Sequence, residues 1–397
     1  MITPSYAITA TERVLPRLAL NFTTGVLDPR VTVTRALNTA TRVNSSGLIE
    51  TVNADLPRFD YDRTTLAPKG LLIEEARTNL LLQSSDASQS PWTPASGGAG
   101  ALAVVTAAAG IAPDGTNTAV RVQFNCTDAS SSSNRSRIQQ SVTVVNGTTY
   151  AKAVWIKAYD ENNVGKTVRF SVEGIANNVT HTLTNQWVRV SAPAGAANTT
   201  AAVFIVETRG TLTTQTADVL MWNGTVEAGA FLTSDIITGA TTATRNADVA
   251  TMTGTNFSDW WQATTGAAAA RALPSTVSGT RPVIQFDDNT ADNFITLRGN
   301  TTNPELYIKA ATDQAQIDAG TISANTAYTL AGSWNTDSCA AALNGAVAIT
   351  DASATIPTVT QARLGSDGTN YLNGHLQTVR YWPQRLINAE VQAFSKL

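Results

Sequence analysis

The strongest restriction on the fold comes from two runs of alternating apolar and polar residues that flank an Asn-Gly pair. The runs cover residues 141–145 and 150–157, and the pair is Asn146-Gly147. Alternation with a period of two places every second side chain on the same face of a β-strand. Asn-Gly favours the positive φ angles of a two-residue turn. We therefore predict an antiparallel hairpin at residues 141–157.

Composition extends this prediction to the whole chain. Of the 397 residues, 60 are threonine, and threonine with valine, alanine, asparagine and glycine favours strands joined by tight turns over long helices. Charged residues make up 14% of the chain and the net charge is -3. The chain therefore lacks the basic surface with which proteins bind nucleic acid phosphates. We predict an all-β protein without a nucleic acid partner.

The cysteines and the hydropathy pattern restrict the location of the protein. Cys126 and Cys339 lie far apart in sequence, and a disulfide would need their Cα atoms within about 7 Å, so we expect both thiols to be free. No run of about 18 apolar residues and no amino-terminal leader pattern is found. We expect no membrane insertion and no export signal, which suits synthesis in a reducing cytoplasm.

Two composition changes divide the chain into three predicted parts. Residues 83–100 are rich in serine, glycine, proline and alanine, and residues 238–244 form a second run of small residues. The predicted division is therefore 1–85, 86–244 and 245–397. In the last part, Leu343-Asn344-Gly345 predicts a hairpin turn, and Asn388 precedes a predicted short helix.

The first part resembles a known family. The resemblance rests on Phe-Asp-Tyr-Asp at 59–62, on Lys-Gly-Leu-Leu-Ile-Glu-Glu-Ala-Arg-Thr-Asn-Leu-Leu at 69–81, and on Trp92. This stretch is similar to the amino-terminal region of bacteriophage virion fibre proteins, in which modular β domains follow an attachment segment. The resemblance implies that residues 1–85 attach to other virion proteins. About 80 residues with few strands bury only a modest core, so a partner surface is expected to complete it.

The other two parts each resemble a type of β-sandwich. Residues 150–158, 186–190 and 222–229 resemble the jelly roll of carbohydrate-binding modules, and residues 364–366, 372–376 and 381–393 resemble the concanavalin A-like, or laminin G-like, sandwich at the carboxyl end of many phage fibres. The resemblances imply a virion protein made in the host bacterial cytoplasm, homotrimeric by analogy, that adheres to host surface polysaccharide. They leave open its mounting on head, collar or tail and the identity of the sugar.

The sequence does not predict an enzyme. The two histidines, His181 and His375, lie outside any nucleophile or metal-ligand motif and are interpreted as residues of sheet surfaces. Glycan cleavage needs two carboxylates on opposite sides of one bond, and the adjacent pairs Glu74-Glu75 and Asp287-Asp288 would point to opposite faces of a strand. A purely structural fibre or capsid decoration is the main alternative to adhesion, and a depolymerase is a weaker one.

Candidate binding residues follow from the chemistry of sugars. Sugars stack their apolar faces on tryptophan and tyrosine rings while polar loops take the hydroxyl groups. Trp261 follows Trp260, so one of the two is expected to be exposed, and Tyr371 lies in a loop rich in glycine and asparagine. We predict Trp261 and Tyr371 as glycan-facing residues. The loop from Asp287 to Asn293 has oxygen ligands for calcium, but a polar turn is the preferred interpretation, because turns favour aspartate and asparagine. The same interpretation applies to residues 367–370, and no cofactor or metal is assigned.

Overall fold

A computed structural model describes residues 15–396, which are almost entirely strands and turns. The first strands are β1 (Leu18–Asn21), β2 (Thr32–Thr34), β3 (Ala40–Val43), β4 (Ile49–Val52), β5 (Phe59–Tyr61), β6 (Pro68–Ile73) and β7 (Arg77–Asn79). Then come β8 (Thr93–Gly97), β9 (Val104–Gly110), β10 (Ala119–Asn125), β11 (Arg135–Thr143), β12 (Thr149–Ala158), β13 (Thr167–Glu173), β14 (Asn178–Thr182), β15 (Val188–Ala196), β16 (Ala201–Arg209) and β17 (Thr216–Ala228).

The carboxyl part contributes twelve more strands. They are β18 (Ala243–Arg245), β19 (Val249–Thr253), β20 (Gly266–Pro274), β21 (Thr280–Asp287), β22 (Asn293–Asn300), β23 (Asn303–Ala310), β24 (Thr312–Asp318), β25 (Tyr328–Trp334), β26 (Cys339–Leu343), β27 (Ile349–Asp351), β28 (Gln361–Leu364) and β29 (Gly374–Trp382). The α-helices are α1 (Thr255–Ser258) and α2 (Asn388–Phe394), and neither is long or apolar enough to cross a membrane. The predicted carboxyl-terminal helix is thus present.

One β-sandwich, here called the terminal sandwich, is built from both ends of the described chain. Its eight-stranded sheet has the order β27-β26-β25-β20-β29-β6-β5, with β1 also paired to β29. Its seven-stranded sheet has the order β2-β19-β28-β21-β22-β23-β24. The two inner faces enclose one core that includes Leu20, Leu71, Phe286, Leu330 and Tyr381. Burial of these faces stabilises the sandwich, because apolar surface leaves water on both sheets at once.

The amino-terminal residues therefore do not form a unit of their own. Strand β1 pairs with β29 in a register that sets Leu18 opposite Tyr381, and β2 pairs with β19 so that Val33 lies opposite Ala250. The sequence predicts residues 1–85 as a separate attachment domain, whereas strands β1, β2, β5 and β6 of this stretch belong to the two sheets of the terminal sandwich. The reason is that these short strands bury their apolar faces against the carboxyl-terminal strands of the same chain, where a partner protein was expected to cover them. Residues 1–14 lie outside the described part.

A second β-sandwich, the inserted sandwich, is formed by residues 80–242. Its sheets have the orders β15-β12-β17-β10-β9 and β14-β13-β16-β11-β8, and every pair within them is antiparallel. Buried residues of the shared core include Val122, Ile138, Phe170, Phe204 and Val219. Alternate residues of β11 are buried, as expected for a strand with one face in a core. The prediction of an all-β chain with two β-sandwiches is confirmed.

The Asn146-Gly147 hairpin prediction is wrong. Strand β11 pairs with β8 and β16, while β12 pairs with β15 and β17, so the two strands belong to opposite sheets. Gly147 does adopt a positive φ of 83°, and its N–H donates to the Ala197 carbonyl oxygen at 2.8 Å. The turn therefore carries the chain between sheets, because both flanking strands bury their apolar faces in the core between them.

Two crossing segments join the sandwiches. The outgoing segment contains β7 and the returning segment contains β18, and these strands pair so that Arg77 lies opposite Arg245. Beside them the β3–β4 hairpin packs Ile49 against Trp155 and Trp222 of the inserted sandwich. The residues that carried the resemblance at 74–79 therefore lie in the junction between the two sandwiches.

Candidate functional site

Trp261, one predicted glycan-facing residue, is mostly part of the terminal core. Its ring stacks on Tyr381 at a centroid distance of 5.1 Å and on Phe257 at 5.1 Å. Trp260 beside it is buried, and both rings lie after helix α1 rather than on a strand, so they pack against the same core instead of pointing to opposite faces. The half-buried Trp261 ring also lines a cavity of about 520 Å³ together with Val359. Only part of this ring is available to a ligand.

Tyr371, the other predicted residue, is half-buried and lies elsewhere. It forms an isolated β-bridge with Ser366 and packs against the terminal core. Burial raises the pKa of the Tyr371 hydroxyl above its ordinary value. The lining of the Trp261 cavity does not include Tyr371, so within residues 15–396 the two rings do not build one site.

The terminal sandwich also carries a polar depression of about 470 Å³, here called the sheet cleft. Its lining residues are Gln285, Asp287, Asn289, Thr290, Ala291, Phe294, Arg298, Arg363, Asp367, Gly368, Thr369 and Asn370. They come from the outer face of the seven-stranded sheet and from the loops at 287–293 and 367–370. The two loops that the sequence marked separately as polar turns thus meet at one cleft.

Strand register sets the side chains of the sheet cleft in rows. Arg363 of β28 lies opposite Gln285 of β21, which lies opposite Thr296 of β22, and Thr296 lies opposite Tyr307 of β23. Opposing residues of adjacent strands share one face of a sheet. The inner residues of the same strands, such as Ile295, are in the core. Polar groups and rings are therefore presented together on the outer face.

Ion pairs and rings hold the cleft surface in place. Arg363 donates from Nε to Oδ2 of the buried Asp287 at 2.9 Å, and Arg298 donates from Nε to Glu305 Oε1 at 2.7 Å. The Arg298 guanidinium also lies 4.1 Å from the centre of the Tyr307 ring, and Phe294 contacts that ring edge to face. Such pairing fixes the side chains before any ligand arrives, which lowers the entropic cost of binding.

In the loop from Asp287 to Asn293, which has oxygen ligands for calcium, the carboxylates accept hydrogen bonds from other groups of the protein. Asp287 accepts hydrogen bonds on both oxygens, from the Asn289 N–H and from Arg363 among others. Asp288 accepts from Thr290 and from Asn293, and the hydrogen bond from the Thr290 hydroxyl is the main cause that lowers the pKa of Asp288. In the described part of the chain no three histidine, cysteine or carboxylate side chains group as metal ligands. The arrangement favours a turn.

Neither histidine lies on a sheet surface, in contrast to the sequence interpretation. His181 is half-buried opposite Val168 on the inner side of β14, and burial lowers its pKa. His375 is only 7% exposed, and its Nε2 lies 2.8 Å from Asp60 Oδ2 at the junction between the sandwiches. The two residues belong to different sandwiches, so they do not form one catalytic group.

A buried ion-pair network, here called the junction network, joins the two crossing segments. Arg58 contacts both Glu74 and Asp248, Glu74 also contacts Arg245 at 3.1 Å, and Asp248 also contacts Arg35 at 2.9 Å. Each of these residues is at most 5% exposed. The sequence points to the Glu74-Glu75-Ala76-Arg77 string but not to its partners, since Asp248, which accepts a hydrogen bond from the Glu74 N–H, lies 174 positions away.

Comparisons with known proteins give no assignment. No family model matches the sequence, and no curated protein sequence matches it. Among solved structures, the CBM40 of the Ruminococcus gnavus IT-sialidase is 13% identical over 34% of this chain and 84% of that chain, with a TM-score of 0.29. Domain 4 of the Geobacillus stearothermophilus arabinanase AbnA, in complex with arabinotriose, is 11% identical over 62% and 98%, with a TM-score of 0.29. Scores this low identify neither a common overall fold nor a function.

Proposed function

We propose that this protein is a non-catalytic adhesion protein of a bacteriophage particle and that it binds host surface glycans through the sheet cleft. The observation that carries the proposal is the cleft itself, in which the Phe294 ring lies among guanidinium, amide and carboxylate groups. The assignment to a phage particle rests on the sequence resemblance at residues 59–62 and 69–81.

The chemistry of the sheet cleft fits a sugar chain. Sugar rings offer apolar faces to an aromatic side chain and hydroxyl groups to planar polar side chains. Phe294 supplies the first, and Asn289, Arg298 and Asn370 supply the second. A volume of about 470 Å³ falls in the usual range for ligand sites, and the open cleft suits a segment of polysaccharide.

The carboxylates of the sheet cleft support binding over cleavage. Asp287 is held by Arg363, and Asp367 accepts hydrogen bonds from the backbone N–H groups of Thr369 and Asn370 at 2.8 and 2.7 Å. A glycosidase needs one carboxyl group that protonates the leaving oxygen and a second that acts as nucleophile or base. Here both carboxylates of the lining are engaged by protein donors, which suits a rigid binding surface.

The test compares two arginines in matched surroundings. Arg298 lies in the cleft, pairs with Glu305 and stacks on Tyr307, while Arg121 of the inserted sandwich pairs with Asp218 and stacks on Tyr159. The full-length protein and the variants Arg298→Ala, Phe294→Ala and Arg121→Ala are incubated with host cells and extracted surface polysaccharide. Bound protein and released reducing sugar are measured in the same samples.

We expect the native protein to bind saturably and to release no sugar. The affinity should fall by about tenfold or more in Arg298→Ala and Phe294→Ala and stay unchanged in Arg121→Ala. Sugar release would replace the adhesin with a depolymerase. Binding that survives both cleft variants would move the glycan site elsewhere on the protein. Absence of binding would favour the structural alternative, a fibre or capsid decoration.

Assembly is a separate part of the proposal. We propose a homotrimer that is mounted on the particle, by analogy with the family that the sequence resembles. Light scattering of the purified full-length protein at several concentrations measures the oligomeric state directly. A mass that stays that of one chain at every concentration would contradict the trimer and leave the glycan proposal untouched.

A further inference from the structure

A cavity of about 210 Å³ lies between the two sandwiches, apart from the sheet cleft. One wall includes Asp60 and His375 of the terminal sandwich together with Thr41 of the β3–β4 hairpin. The other wall includes Trp155 and Arg189 of the inserted sandwich. The returning segment adds residues 232–235 to the lining. We call this space the junction cavity. Ligand sites are common at such interfaces between domains, because two surfaces there converge on one molecule.

His375 lines the junction cavity and has one ring nitrogen without a hydrogen-bond partner among the described residues. Its Nε2 is paired with Asp60 Oδ2 at 2.8 Å, but its Nδ1 is buried without a hydrogen-bond partner among the described residues. The residue as a whole is 7% exposed. A buried polar atom without a partner is costly, so a native protein usually supplies one. A ligand hydroxyl group can either donate to this nitrogen or accept from it, whichever tautomer the ring adopts.

The facing wall offers a carboxylate and a guanidinium held in fixed positions. Asp235 accepts hydrogen bonds from Trp155 Nε1 at 3.2 Å and from Asn223 Nδ2 at 2.8 Å, and Arg189 Nη2 lies 3.1 Å from its Oδ1. Arg189 also donates from Nη1 to the Thr233 carbonyl oxygen at 2.7 Å, while its Nε has no partner. The Trp155 ring contributes apolar surface beside these polar groups.

Charge and size restrict what the junction cavity can hold. Each carboxylate of the lining already has a cationic or imidazole neighbour: Arg58 at Glu74, Arg189 at Asp235 and His375 at Asp60. Because these charges are paired, the lining favours neither an anionic nor a cationic ligand. Its volume equals roughly seven waters at their liquid density and lies below the range of larger ligand pockets, which suits a single sugar ring.

From these observations we infer that the junction cavity is a second binding site, specific for a neutral polyhydroxy molecule of the size of one monosaccharide. The site is independent of the sheet cleft. Its ligand contacts both sandwiches, so binding also stabilises the way they are joined, since a ligand that binds only the folded state raises its stability.

The test uses full-length protein and the probes D-glucose, D-galactose, D-mannose and N-acetyl-D-glucosamine, with sodium D-glucuronate as the charged comparison. Isothermal calorimetry measures binding and thermal unfolding measures stability, for the native protein and for two variants. Ser275→Leu enlarges a half-buried residue of the lining, and Arg189→Gln removes the guanidinium. Arg121→Ala, which changes a residue outside both the junction cavity and the sheet cleft, is the control variant.

We expect saturable binding of at least one neutral monosaccharide, with a weaker response to glucuronate. The affinity for the sugar should fall by about tenfold or more in Ser275→Leu and Arg189→Gln and stay unchanged in Arg121→Ala. Melting temperatures without sugar show whether each variant remains folded. A cavity that holds only water gives no saturable heat with any of the probes and overturns the inference. Sugar binding that Ser275→Leu and Arg189→Gln leave intact, or that Arg121→Ala abolishes, overturns it as well.

Discussion

Arg58 donates a hydrogen bond from Nε to Oδ1 of Asp248 at 3.2 Å, although 190 positions separate the two residues in sequence. Both side chains are buried, and Arg58 also contacts Glu74 at 2.8 Å. Arg58 comes just before β5, and Asp248 follows the segment that returns from the inserted sandwich. This ion pair therefore fastens the point at which the chain leaves and re-enters the terminal sandwich.

Removing Arg58 should destabilise the protein strongly. Arg58→Met keeps most of the side-chain volume but leaves Glu74 and Asp248 with fewer cationic partners in a buried setting. We expect a loss of about 3–5 kcal/mol in the free energy of unfolding, because an uncompensated buried charge is costly. Urea denaturation followed by tryptophan fluorescence measures it. Arg30→Met, which breaks the partly exposed pair with Asp28, should cost no more than about 1 kcal/mol. Equal losses in the two variants would contradict the proposed role of the network.

Stability should fall in acid because of Glu74. Burial by itself would raise the pKa of Glu74, but Arg245, Arg58 and the hydrogen bonds from Ser234 outweigh it and hold the pKa below the ordinary value of 4.5. A carboxylate of this kind stabilises the fold above its unfolded pKa and loses that effect as the pH falls toward the folded pKa. We expect the free energy of unfolding to decrease progressively below about pH 4.5.

The variant Glu74→Gln isolates this contribution. It should be less stable than the native protein at neutral pH by about 2–4 kcal/mol, since Arg58 and Arg245 lose a charged partner. The difference should shrink as the pH is lowered, because the native carboxylate becomes protonated too. Glu161→Gln, at an exposed position, is the control and should follow the native profile. A constant difference at all pH values would exclude Glu74 as the titrating group.

Lys152 should destabilise the folded protein at neutral pH, in contrast to Glu74, which stabilises it. It lies on the inner side of β12, where burial lowers its pKa to about 8, and its ammonium group donates to the Ala176 carbonyl oxygen. Between about pH 8 and its ordinary value of 10.5 the unfolded chain binds more protons, so the free energy of unfolding should rise with pH. Lys152→Met should abolish this rise and stabilise the protein by about 2 kcal/mol at pH 7. Lys157→Met is the matched control, and a less stable Lys152→Met protein would refute the argument.

Calcium should not contribute to stability at the loop from Asp287 to Asn293. The oxygens of Asp287 and Asp288 already accept hydrogen bonds from protein donors, so a cation would have to displace them. We expect the melting temperature to be the same in EDTA, calcium chloride and magnesium chloride. A saturable increase with calcium alone, absent in Asp288→Asn, would show that the loop is a metal site.

Gly70 should tolerate no side chain. Its φ is +108°, and a Cβ atom there would lie 2.4 Å from the Leu376 carbonyl oxygen of the neighbouring strand β29. Gly70→Ala therefore combines backbone strain with a clash against a strand and should cost roughly 3 kcal/mol or more. Gly239→Ala is the comparison, since its Cβ would meet nothing within 4 Å. Chemical denaturation of both variants measures the difference, and a small effect at Gly70 would contradict the close approach of β6 and β29.

Two Asn-Gly pairs show how far local sequence reasoning reaches. Gly345 and Gly147 both adopt positive φ angles, of 81° and 83°. The pair at Asn344-Gly345 joins β26 to β27 within one sheet, as predicted, whereas the pair at Asn146-Gly147 links strands of different sheets. Asn344 also has a positive φ, of 47°, as a two-residue hairpin turn requires, whereas Asn146 does not. The sheet to which each flanking strand belongs depends on distant strands that cover its apolar face.

The sequence predicts only separate parts of the candidate site, because distant strands also decide which of its residues are accessible and which lie together. Aromatic residue type led to Trp261 and Tyr371, but burial in the terminal core decides how much of each ring a ligand can reach. The loops at 287–293 and 367–370 were each recognised as polar turns, and only strand pairing brings them to one cleft. No motif or spacing in the sequence distinguishes Phe294, the aromatic residue of the cleft, from the other residues of an apolar strand.

The sequence by itself determined the all-β class, the positions of several turns and the short helix that ends at Phe394. These are local properties, since strand periodicity and the φ preferences of glycine and asparagine act over a few residues. The tertiary structure decided that strands β1, β2, β5 and β6 complete the terminal sandwich and that Arg58 contacts Glu74 and Asp248. Strand pairing and the burial of charge depend on groups far apart in sequence, so the whole fold has to form before they are fixed.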